Sequence, residues 1–79
     1  MPEKPIMTEK QTELFRLFKM AIESERSAQE LYQEAIVLCD DSALKNIIAG
    51  FYNQEVQHEK FLLDKYKEYG ERFAVEDDV

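Results

Sequence analysis

The sequence predicts an all-α protein, a long antiparallel hairpin of two helices. Three observations carry that prediction. Apolar residues recur at alternating intervals of four and three along two long stretches, which is the spacing of a heptad seam. The period-two alternation that a half-buried strand requires is missing. Between Pro5 and Gly50 there is neither glycine nor proline, so the one internal break is Cys39-Asp40-Asp41-Ser42. Two helices joined by one short turn satisfy all three.

Each element follows from local chemistry. Residues 1–7 carry Pro2 and Pro5 and read as a frayed lead-in. Thr8 and Gln11 have the spacing of a capping box, so helix one is expected over about 8–39. Asp41 or Ser42 can cap a second helix of about 42–69, with Gly70 as its stop signal. Gly50 falls inside that helix, where it costs roughly 1 kcal/mol against alanine or marks a close helix contact. The acidic tail 71–79 is expected to be mobile apart from Phe73. Residues 1–79 thus make a single domain.

Composition narrows the function. Ten basic and 17 acidic residues leave a net charge of −7. That argues against nucleic acid and anionic membrane surfaces, and suits the attraction of cations. No apolar run approaches the length of a membrane span and no signal peptide is visible, so a cytoplasmic protein is expected. The single cysteine, Cys39, allows neither an intrachain disulfide nor a cysteine-based zinc site. A chain of 79 residues buries only a modest core alone, so a partner subunit or a metal is a natural supplement.

The seams place polar residues among apolar ones. The first runs through Leu14, Phe18, Ala21, Glu25, Ala28, Tyr32, Ala35 and Cys39. The second runs through Leu44, Ile48, Phe51, Glu55, His58, Leu62 and Tyr69. His58 is the only histidine. An antiparallel hairpin folded at Asp40–Asp41 sets Glu25 opposite position 56, level with Glu55 and His58. Three polar groups then converge in one layer of an otherwise apolar face, expected to be buried. Buried carboxylates are costly unless neutralised, and a divalent cation would neutralise them. The bland alternative is a polar layer that only fixes helix register, with His58 hydrogen-bonded in the core. Glu23, Glu30, Glu59 and Glu68 read as solvated faces, with Glu23 and Glu59 the nearest rival ligands if the register differs. The apolar faces are wide: Phe15, Ile22 and Ile36 flank the first seam on one side, Leu17, Leu31 and Leu38 on the other. One hairpin cannot cover both flanks, which predicts an oligomer with a dimer as its smallest unit. Val56 and Leu63, farther round the second helix, hint at a ring of dimers.

"ESERSAQELYQEA", followed thirty residues after Glu25 by "EVQHEKF", resembles the ferritin-like, rubrerythrin-type helical hairpin. The family's Glu-x-x-Ala-x-x-x-Tyr is matched by Glu25, Ala28 and Tyr32, and its Glu-x-x-His by Glu55 and His58. The resemblance implies a carboxylate-bridged di-iron centre in a four-helix bundle, which takes a Glu from each of two helices and Glu-x-x-His from each of two others. One chain carries half of that set. The resemblance therefore implies a homodimer completing the ferritin-like four-helix bundle, as in the short two-helix encapsulated ferritins, with two irons per dimer. Manganese or zinc would also suit the ligands. The implied activity is ferroxidase-like: Fe(II) binds to Glu25, Glu55 and His58 and is oxidised by O2 or peroxide. Tyr32 would hydrogen-bond to a ligand, or else be a core aromatic. Alternatives are a peroxide-handling protein served by an external electron donor, and a non-enzymatic helical-hairpin oligomer. One cysteine cannot supply the rubredoxin module of rubrerythrins proper, and the tail shows no recognisable docking segment for an encapsulating shell protein.

Overall fold

The computed structural model describes residues 3–74. Helix α1 spans Glu9–Leu38 and α2 spans Ser42–Gly70, and among the described residues there is no strand. The two pack against each other as one antiparallel hairpin, a rod of 59 × 22 × 20 Å. Both helix starts are specified locally. Thr8 N–H donates to Gln11 Oε1 at 2.9 Å and Gln11 N–H to Thr8 Oγ1 at 3.1 Å, closing the capping box. Asp41 caps α2, accepting from Ala43 N–H at 2.9 Å and Leu44 N–H at 3.0 Å.

The register is within a turn of the expected one. Phe15 stacks on Tyr66 with ring centroids 4.2 Å apart, and Tyr32 meets Phe51 at 5.9 Å. Tyr69 and Phe73 extend the first of these clusters, 5.1 Å apart edge to face. Ala74 N–H donates to Pro5 carbonyl oxygen at 2.9 Å, tying the lead-in to the end of the chain. Phe73 is buried there, and residues 71–74 are built into the hairpin end. The mobility expected for the rest of the acidic tail falls on residues 75–79, which lie outside the described residues.

Gly70 is the last residue of α2, as expected of a stop signal, and Gly50 lies inside that helix. Gly70 ends α2 without a positive φ, so it is not a left-handed cap. Its missing side chain instead makes room for the Phe15 ring, which a Cβ would meet at 3.1 Å. Gly50 has nothing within 4 Å of where its Cβ would lie, so the hairpin itself gives it no close contact.

Rotation of the helices about their axes differs from the symmetric seam of the sequence reading. The Phe15, Ile22 and Ile36 flank of α1 turns inward, and Ile22 is buried. The Leu17, Leu31 and Leu38 flank stays open, together with Leu14, Leu44, Ile47, Phe51 and Phe61. The reason is width: each apolar face covers more of its helix than one partner can touch. Val56 and Leu63 are half-buried in the hairpin. Among the described residues only Ile22 and Phe73 are buried hydrophobics. Large apolar side chains thus stay exposed on both helices, from Leu14 and Leu17 to Leu38 and from Leu44 to Phe61.

Candidate metal centre

Helical spacing brings the three sequence-predicted ligands together. Glu55 and His58 lie three apart on α2, hence neighbours on its surface. The antiparallel pairing sets Glu25 of α1 beside them. One ligand atom from each of Glu25, Glu55 and His58 lies within 4.8 Å of the others. His58 Nδ1 is 3.6 Å from Glu25 Oε2 and 3.8 Å from Glu55 Oε2. These separations are too long for hydrogen bonds.

Burial is uneven, and here one expectation is corrected. The Glu25 and Glu55 side chains are 23% and 20% exposed, but the His58 side chain is 60% exposed. His58 sits on the uncovered half of the wide apolar face, so a single hairpin does not bury it. Glu25 Oε2 is shut off from solvent and has no hydrogen-bond partner. A buried carboxylate oxygen left unsatisfied costs free energy on the order of 1–3 kcal/mol. It therefore calls for a positive charge or a donor.

The surrounding residues sort themselves. Glu59 is taken up by α1: Arg26 Nε donates to its Oε2 at 2.7 Å, and Gln29 Nε2 to its Oε1 at 2.6 Å. The Arg26 guanidinium, and then the Gln29 amide, hold the Glu59 carboxyl below the usual carboxylate range. Because that value is lowered by folding, the stabilisation is full above the ordinary carboxylate pKa and is lost as pH falls through the lowered one. Glu23 and Glu30 are exposed, and Glu68 receives a hydrogen bond from Lys65 at 3.1 Å. Tyr32 packs its half-buried ring near Phe51 and does not donate to the orphaned Glu25 Oε2. The Arg26–Glu59 pair is what the sequence reading missed. Its signal was available, since opposite charges stand one residue beyond Glu25 and one beyond His58.

Comparisons with protein-family models, with curated proteins and with solved structures found no match. No helix among the described residues is long and apolar enough to cross a membrane.

Proposed function

We propose that the chain is half of a ferritin-like di-iron protein, in which two copies join over the open apolar face and oxidise Fe(II). The observation that carries this reading is the Glu25 Oε2 atom, buried without a partner within reach of Glu55 and His58. Two carboxylates and one imidazole are hard and borderline donors that suit iron or manganese, and accept zinc. The ligands fit a cation because they are already gathered and one of them is unsatisfied. A second copy would double the set to four carboxylates and two imidazoles, the donor count of a carboxylate-bridged two-iron centre. The four negative charges would balance two ferrous ions.

In this reading Fe(II) is the substrate and dioxygen or peroxide its oxidant. Glu25, Glu55 and His58 gather the ions, and a second copy laid over the exposed apolar side chains would keep bulk water away from them. The sole cysteine makes an internal electron supply unnecessary to invoke, since each ferrous ion brings its own electron. The reading assigns the protein to the reducing cytoplasm, with a shell protein or an electron donor as further partners.

A second reading has one observation in its favour. His58, if protonated, lies close enough to both carboxylates to compensate them, and the layer would then only set register. One experiment separates the two. Protein purified without chelator and loaded anaerobically should take up about two Fe(II) per dimer. On exposure to air it should oxidise them faster than buffer does, with a ferric absorption in the near ultraviolet. Glu25→Ala, Glu55→Ala and His58→Ala should each reduce oxidation to background, while Glu68→Ala should leave it unchanged. If the three ligand variants oxidised iron like the wild type, the register reading would replace this one.

A further inference from the structure

The polar layer has a neighbour on the side away from the open face. Arg26 follows Glu25 on α1, and Glu59 follows His58 on α2. Both oxygens of Glu59 are engaged from α1, by Arg26 at 2.7 Å and by Gln29 at 2.6 Å. One turn farther along the same edge, Gln33 Nε2 donates to Tyr52 Oη at 3.2 Å. These polar links cross between the helices on one edge, and none is matched by a partner on the apolar edge among the described residues.

We propose that Arg26, Gln29 and Glu59 form a positioning clamp for the metal centre. The inference rests on reading the layer as a cation site. The clamp is needed because apolar packing leaves helix rotation open. Both flanks of the seam on α1 are apolar, so turning a helix exchanges one greasy flank for the other at little cost. A turn of one residue on α2 would move His58 away from Glu25 and bring Glu59 in its place. Two donors on the two oxygens of Glu59 oppose that turn. They fix the rotation at which Glu25 faces Glu55 and His58. They also neutralise Glu59, which would otherwise compete as a ligand from the adjacent position.

Magnitudes predict how such a clamp differs from a merely structural ion pair. The Arg26 side chain is 56% exposed and that of Glu59 19%, and ion pairs that reach solvent add little to stability. Groups bonded directly to metal ligands change metal affinity by roughly 10- to 100-fold, and a clamp that acts through helix rotation, touching no ligand itself, falls at the lower end of that range. Affinity should therefore fall while stability hardly moves.

The test uses the full chain, Mn(II) as probe and the electron paramagnetic resonance of free Mn(II) as readout. Melting curves of the metal-free protein and sedimentation velocity are taken on the same samples. Wild type should bind Mn(II) saturably. Glu59→Gln and Arg26→Gln should each bind it about tenfold or more weakly. Their Tm should stay within ~4 °C of wild type, with the oligomeric state unchanged. The exchanged pair, Arg26→Glu with Glu59→Arg, should recover most of the lost affinity. If wild type binds Mn(II) and both single variants bind it equally well, the clamp is refuted and the metal centre stands. If wild type binds none, the metal reading fails and the clamp falls with it. Weakened binding accompanied by a large loss of Tm or of assembly, or an exchanged pair no better than the single variants, would also overturn the clamp.

Discussion

At the end of the hairpin where the chain enters and leaves, aromatic side chains find partners; in the layer of Glu25, Glu55 and His58 at its middle, one carboxylate oxygen does not. The closed end stacks Phe15 on Tyr66 and sets Tyr69 against Phe73, with Gly70 cut back to admit the Phe15 ring. The lead-in and Ala74 close over it by a backbone hydrogen bond. The middle layer gathers two carboxylates and an imidazole and leaves Glu25 Oε2 buried and unsatisfied. The first arrangement brings aromatic rings together and buries Phe73, which stabilises the hairpin. The second works against stability, and chains keep such arrangements where a missing ligand completes them. The closed end holds the fold, and the middle layer is where the proposed cation site lies.

That contrast can be tested by breaking one region and watching the other. Phe73→Ala should have the largest effect, lowering the stability of the hairpin by about 3 kcal/mol as a buried aromatic is lost. Denaturant unfolding measures this, and the Mn(II) affinity of the folded variant should match wild type. Metal addition should come next. Mn(II) at a hundredfold excess over its Kd should raise stability by about 2.7 kcal/mol, measured as a rise in Tm over protein in chelator. Acid should abolish that rise, because protons compete with the cation for all three ligands. The smallest effect has the opposite sign from ordinary core damage. Glu25→Ala should make the metal-free protein more stable by about 1 kcal/mol, since the orphaned oxygen is gone, while removing the stabilisation by Mn(II). A Glu25→Ala variant less stable than wild type in chelator would mean that the layer serves packing, and the contrast between the regions would disappear.

The sequence made the hairpin legible because its signals are local. Thr8 with Gln11 and Asp41 before Ala43 and Leu44 specify helix starts through bonds spanning only a few residues. The depth of Glu25, Glu55 and His58 was legible too, since a single short turn fixes how far each helix runs past the other. Rotation was not. A face that is apolar on both flanks gives no preference for the Ile22 side over the Leu31 side, so the exposure of His58 could not be read from periodicity. Phe73 stood out as the one fixed residue of the tail, but its partners did not, since they depend on Pro5 and Ala74 meeting across nearly the whole chain. Arg26 and Glu59 were separately visible as charges, but their pairing required the rotation that periodicity leaves undetermined.

The bond between Ala74 and Pro5 has a topological consequence. Because Ala74 lies beside Pro5, two hairpins encoded in tandem could be joined by a short linker only where those poles meet, whether side by side pointing the same way or end to end pointing apart. Were they to lie head to tail, the connection from residue 74 of the first to residue 5 of the second would have to run the 59 Å length of the rod. At about 3.3 Å per extended residue that takes roughly 18 residues. The shortest linker that still yields a folded single-chain pair is therefore a ruler for the direction in which two copies meet.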